Sequence, residues 1–121
     1  MKFTLESPTA VTVRSVSDRE IRIGDQRWSQ TIALTSTGVL DNWVQQPIDA
    51  LRIEDFSSLL DAGVSLVILG TGRTHVIPPR ELVFGMARNG IGFEVMDTRA
   101  AARTFNVLVG EGRPAAAVLY L

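Results

Sequence analysis

The chain has 121 residues, 12 of them Lys or Arg and 13 Asp or Glu, with one His and no Cys. That length suits one domain over residues 1–121 with its own hydrophobic core, and the missing cysteine excludes disulfides, thiolate metal sites and a cysteine nucleophile. A formal charge of −1 argues against a broad electrostatic grip on nucleic acid or on an anionic membrane.

Lys2 is the only lysine and every other basic residue is Arg. The planar guanidinium favours fixed, bidentate contacts with carboxylates or phosphates, although a GC-rich coding bias produces the same composition. Residues 1–8 contain Glu6 and show neither a charged n-region with an apolar h-region nor an Arg-rich amphipathic pattern. No export or organelle signal is expected, and a bacterial cytoplasmic protein is the expected setting. The apolar run Leu66-Val67-Ile68-Leu69 is far too short to span a bilayer, so no membrane insertion is expected.

In chain order, residues 11–16 alternate apolar and polar, Ser17-Asp18 offers a turn, and residues 20–23 alternate again, which reads as a β-hairpin. Gly24-Asp25 ends it. Residues 28–34 form a third strand candidate with Trp28, Ile32 and Leu34 apolar, and residues 35–50, carrying Gly38, Trp43 and Pro47, read as loop. Residues 55–62 suit a short helix with Phe56, Leu59 and Leu60 on one side and Gly63 placed for a C-cap.

The second half changes period. Residues 64–69 are a continuous apolar strand of the kind buried on both faces of a sheet. After a loop over 70–79, residues 80–89 are helical, with Leu82, Val83, Phe84, Met86 and Ala87 on one arc and Glu81, Arg88 and Asn89 on the other. Gly90 stops that helix, 91–96 is a strand, and Asp97 or Thr98 caps the next helix. Gly110 and Gly112 end it, and 114–121 supplies a last apolar strand. Strand, helix, strand, helix, strand implies right-handed crossovers on a shared sheet, with the amino-terminal hairpin extending or covering one edge.

At 3.6 residues per turn, Arg99, Arg103, Asn106 and Gly110 fall in one narrow stripe of the last helix, which is otherwise apolar, Ala or Thr. So narrow a polar stripe implies cover on two sides: the sheet, and either the amino-terminal strands or a second copy, which leaves homo-oligomer formation open. The stripe is then a solvent seam or the floor of a groove in which Arg103 and Asn106 meet a carboxylate, a phosphate or a partner's acidic side chain. Glu94 or Glu111 is the intramolecular alternative for Arg103. Glu94 shares a sheet face with Met96, and if its strand is central its carboxylate must be paired or protonated. A structural ion pair to an arginine is the expected use, in a lattice with Glu111 and Arg113. A general acid or base is the rival.

Gly70-Thr71-Gly72-Arg73 follows a strand, as phosphate-binding loops do, yet it lacks a third Gly, prompt entry into a helix and the G-x-x-x-x-G-K-[ST] pattern. A tight exit turn is the simpler reading. His75 is the only His, so it can form no His cluster, and no Ser-His-Asp arrangement exists without it. Trp28 and Trp43 read as core or interface anchors. No catalytic set and no cofactor site is expected. The binding candidates are Gly70, Thr71, Gly72, Arg73, Asp97, Thr98, Arg103 and Asn106, which gather where open α/β sheets place their crevice.

Over roughly its last 60 positions the chain resembles the Mth domain family. The resemblance rests on Leu69-Gly70-Thr71-Gly72, Pro78-Pro79, Gly90-Ile91, Glu94-Val95-Met96-Asp97-Thr98, Ala100-Ala101, Arg103-Thr104-Phe105-Asn106-Val107-Leu108 and Glu111-Gly112-Arg113, in that order. It implies a compact three-layer α/β domain with a mixed central sheet, which agrees with the alternating element order. It also implies a soluble, non-catalytic interaction or assembly-assisting role with a protein partner, since a mitochondrial branch of the family is associated with assembling respiratory complex I. The alternative is a small-anion-binding protein or enzyme using the same crevice, with Arg73 and Arg103 on the anion and Glu94, Asp97 or His75 handling protons.

Overall fold

The computed structural model describes residues 11–121, so the amino-terminal stretch read above as carrying no leader lies outside the described residues. Strands β1 (Val13–Val16), β2 (Ile21–Ile23) and β3 (Gln26–Trp28) form a three-stranded antiparallel sheet in that order. The hairpin is present, with Val16 opposite Ile21 and a bulge between Val13 and Ser15. It does not extend the larger sheet. It pairs with β3 instead, and β1 packs against the last helix.

The expected third strand is two strands in two sheets. Ser29-Gln30 breaks the run, and β4 (Ile32–Thr35) joins a five-stranded sheet with β5 (Gly38–Val39), a short hairpin inside the expected loop. The expected helix over 55–62 is a 3-10 turn at Ile53–Phe56 running into α1 (Ser57–Asp61). Then follow β6 (Leu66–Thr71), α2 (Arg80–Arg88), β7 (Gly92–Met96), α3 (Thr98–Gly110) and β8 (Ala115–Tyr120). The sheet order is β5-β4-β8-β6-β7, with β8, β6 and β7 mutually parallel and β4 antiparallel to β8. This is the three-layer α/β domain with a mixed central sheet.

Side-chain alternation along each strand splits the core in two. On one face Ile32, Leu34, Ile68, Ala117 and Leu119 meet Ala101, Phe105 and Leu108 of α3, with Val13 and Ile21 of the small sheet closing the far side. On the other, Ala33, Val67, Leu69, Ala116 and Val118 meet Phe56, Leu59, Leu82 and Met86. The second cover of α3 is therefore the amino-terminal sheet.

The apolar arc of α2 is narrower than its sequence suggests. Leu82, Gly85 and Met86 are buried, while Val83, Phe84 and Ala87 are exposed. Gly85 sets this rotation: a Cβ there would lie 2.9 Å from the Ile53 side chain, so the helix comes down on Ile53 along its glycine.

Candidate functional site

The carboxyl end of β6 meets the amino end of α3 through a tight set of hydrogen bonds. Gly70 permits the approach, because a Cβ there would sit 2.9 Å from the Thr98 Cα and 3.0 Å from the Ala101 Cβ. Gly72 then turns the chain with φ +96°, a conformation natural to glycine. Its N–H donates to the Thr98 hydroxyl at 2.7 Å and its C=O accepts from the Thr98 N–H at 2.8 Å. The buried Thr98 hydroxyl donates in turn to the Tyr120 C=O, so one side chain ties β6, α3 and β8 together.

The neighbouring polar groups are similarly engaged. Asp97 caps α3, its Oδ1 accepting from the Ala100 N–H at 2.9 Å. The Thr71 hydroxyl donates to the Thr74 C=O at 2.6 Å and accepts from the Val76 N–H at 3.1 Å, fixing the loop after β6. The Asn106 amide grips Val13 at both backbone groups, accepting from its N–H and donating to its C=O at 2.8 Å each. Asn106 thus stands in for a paired strand at Val13 of β1 and, with the burial of Val13 and Ile21, holds the hairpin over α3.

Outside this knot the charges are exposed. Asp18, in the turn between β1 and β2, lies 3.7 Å from Arg73 Nε and 3.9 Å from Arg99 Nη2. The three side chains rim a cleft of about 170 Å³ whose other walls include Val16, Gly72, Asp97 and Thr98. An adjoining groove of about 200 Å³, between β1 and α3, is lined by Arg14, Arg99, Arg103 and Asn106. Of the eight expected binding residues, Gly72, Arg73, Asp97 and Thr98 line the cleft, Arg103 and Asn106 line the groove, and Gly70 and Thr71 lie buried beneath. Sequence reasoning missed Asp18 as the shared partner of two arginines. Its signal was the Ser17-Asp18 turn, but only the docking of β1 on α3 brings that turn to Arg73 and Arg99.

The expected ionic lattice takes another form. Glu94, Glu111 and Arg113 are exposed, and the ion pairs among the described residues involve none of them, nor Arg103. Glu94 faces solvent because β7 is an edge strand, not a central one. His75 is exposed and does not line the cleft. Among the described residues no three His, Cys, Asp or Glu side chains gather as a metal site requires.

On the opposite face, Trp43, Phe56 and Phe93 stack edge to face, with centroid distances of 5.4 and 6.4 Å. Burial first, and the Asp55 carboxylate second, push the Tyr120 phenol up from 10.0 to about 12. Its hydroxyl donates to the Gln46 C=O at 2.6 Å, which ties the loop before α1 to the end of β8.

Known proteins resemble this chain in sequence and in fold. The chain is 35% identical over 117 residues to NADH dehydrogenase (ubiquinone) 1 alpha subcomplex assembly factor 3 of Bos taurus, covering 94% of this chain and 62% of that protein. It thus spans less than two thirds of that relative's length. A crystal structure of a Bordetella parapertussis protein superposes with a TM-score of 0.84 at 31% identity, covering 94% of this chain and 98% of the other. A solution structure from Bordetella pertussis, described as an Mth938-like domain, gives 0.77 at 28% identity over 99% of this chain and 92% of the other. A family model described as a protein of unknown function (DUF498/DUF598) matches residues 13–120, from the first residue of β1 to the last of β8. The Asn106 and Thr98 knots and the strands they join all fall inside that span, and the chain belongs to this family, the Mth domain family of its sequence motifs.

Proposed function

We propose that this chain is a single Mth-like domain that assists assembly by binding a protein partner through the rim of Arg73, Arg99 and Arg103, without turnover of its own. One observation carries this reading. The Thr71, Thr98 and Asp97 side chains at the strand ends are hydrogen-bonded within the fold, whereas the guanidiniums around them stand exposed at a crevice. Fixed, satisfied hydrogen bonds make a rigid platform. Exposed arginines are a common recognition element at interfaces. The likeness to an assembly factor supports the same role, and the absence of cysteine is compatible with a reducing bacterial cytoplasm.

Affinity purification of the tagged protein from its native cell tests the reading. Simultaneous Arg73→Ala, Arg99→Ala and Arg103→Ala substitution is expected to release the bound partner while the protein stays folded. Retention of every partner by the folded triple variant counts against it. The anion-binding alternative draws on the two guanidiniums that flank one carboxylate, the geometry a carboxylate or phosphate ligand would also use. A ligand-specific rise in melting temperature across a panel of phosphates, nucleotides and carboxylates would favour it.

A further inference from the structure

We infer that the partner presents an acidic, extended segment to the β1–α3 trough, and that Asp18 is an internal competitor holding the place of one of its carboxylates. This rests on the proposed binding role and adds to it the chemistry of the partner and a built-in brake. The trough is the cleft and the groove taken together, which share Val16 and Arg99. At about 170 and 200 Å³, each half is smaller than the ~300 Å³ at which small-molecule pockets begin. End to end they suit a length of chain rather than a compact ligand.

The charges point the same way. Arg73, Arg99, Arg103 and Arg14 line the trough, against the carboxylates of Asp18 and Asp97. One Asp97 oxygen is already engaged as the cap of α3. Arg14 lies 3.8 Å from Asp25, a pair more than half exposed on both sides. Arg103 has no ion-pair partner among the described residues. Arg99 and Arg103 are one helical turn apart, so their Cβ atoms are ~5–6 Å from each other. Alternate residues of an extended strand repeat at about 6.5 Å, so acidic side chains two apart in a partner segment meet both guanidiniums.

Asp18 is poised to be displaced rather than locked. Its contacts of 3.7 and 3.9 Å are longer than the ~2.8 Å of a charge-assisted hydrogen bond. All three side chains are more than half exposed, at 56%, 76% and 60%. Such pairs contribute little to stability. A flanking segment with several carboxylates replaces one weak pair by several.

A fluorescein-labelled decapeptide of alternating Glu and Ser, beside its Gln–Ser twin, titrated against the full chain by anisotropy tests the inference. The acidic peptide is expected to bind and the twin not, and binding is expected to weaken as salt rises. Asp18→Asn is expected to tighten it about two- to fivefold, the scale of one exposed ion pair. Asp18→Ser serves as a second variant, and circular dichroism melts establish that each protein is folded. Equal binding of both peptides, no binding at millimolar concentration, unchanged or weaker affinity in both Asp18 variants, or preference for a single-stranded oligonucleotide would each overturn the inference. Loss of the native partner from the arginine triple variant with no effect of Asp18 sinks this inference alone. Retention of that partner sinks the binding role itself.

Discussion

Thr98 and Arg99 are neighbours in the chain and belong to two different regions of the molecule. Thr98 is inner: buried, its hydroxyl shared between the Gly72 N–H and the Tyr120 C=O, it joins three elements. Arg99 is outer: 60% exposed, it reaches a carboxylate at 3.9 Å through water-accessible space. The inner region uses polar groups as fasteners, and desolvation makes each one costly to lose. The outer region uses charge that solvent largely screens, and it is free to change partners. Residues that look alike in sequence, a cluster of polar side chains after a strand, thus divide by burial into fasteners of the fold and exposed charge.

The largest expected effect comes from breaking the inner region. Thr98→Val keeps the shape and removes the buried hydroxyl, so the Gly72 N–H and Tyr120 C=O lose their shared partner. A loss of about 2–4 kcal/mol in urea denaturation is expected, and a loss below ~0.5 kcal/mol would place Thr98 with the outer residues.

A pH series sharpens the contrast next. Burial first, and the Asp55 carboxylate second, hold the Tyr120 phenol up from 10.0 to about 12 in the folded chain. Between these values the unfolded phenol releases its proton while the folded one keeps it, so the unfolded state binds fewer protons and stability falls as pH rises. The contribution is whole below pH 10 and fades by about 12, to a total of at most about 2.7 kcal/mol, lowered by the solvent that screens the partly open phenol. Tyr120→Phe is expected to flatten that part of the profile.

Asn106 sits between the two regions, half-buried at the seam. Asn106→Leu keeps the apolar cover but leaves the Val13 N–H and C=O without their partners. A loss of about 1–2 kcal/mol is expected, together with faster amide exchange at Val13 than in the core of β6. Protection at Val13 equal to the native level would separate the hairpin's docking from this side chain.

The same division explains what could be read from sequence. Residues of β6, α2, β7, α3 and β8 were legible because continuous apolar runs and a 3.6-residue period are local signals, and the caps at Asp97 and Gly90 punctuate them. The amino-terminal half was less so. At Ser29-Gln30 the chain leaves one sheet for another, and nothing within a few residues encodes that choice. Exposure of Glu94 follows from the order β5-β4-β8-β6-β7, which makes β7 an edge. The Asn106 bond to Val13 spans 93 residues. Local pattern placed the candidate residues at one end of the sheet; only tertiary pairing sorts those that are spent from those left outside.

Smallest in stability, and most telling for that sorting, are the arginines. Arg103→Ala removes an exposed side chain with no ion pair among the described residues, and Arg99→Ala removes one contact of 3.9 Å with Asp18. Surface changes of this kind fall within about 0.5 kcal/mol in either direction, so both variants are expected to melt with the native protein. Arg99 and Arg103 share no ion-pair partner among the described residues, so their effects on stability are expected to add, apart from a few tenths of a kcal/mol (~0.2–0.5) of like-charge repulsion one turn apart. A double variant that loses more than about 1 kcal/mol beyond the sum of the singles would show that the rim braces β1 against α3. In that case the outer region is a second fastener, and the line between Thr98 and Arg99 has to be drawn further out.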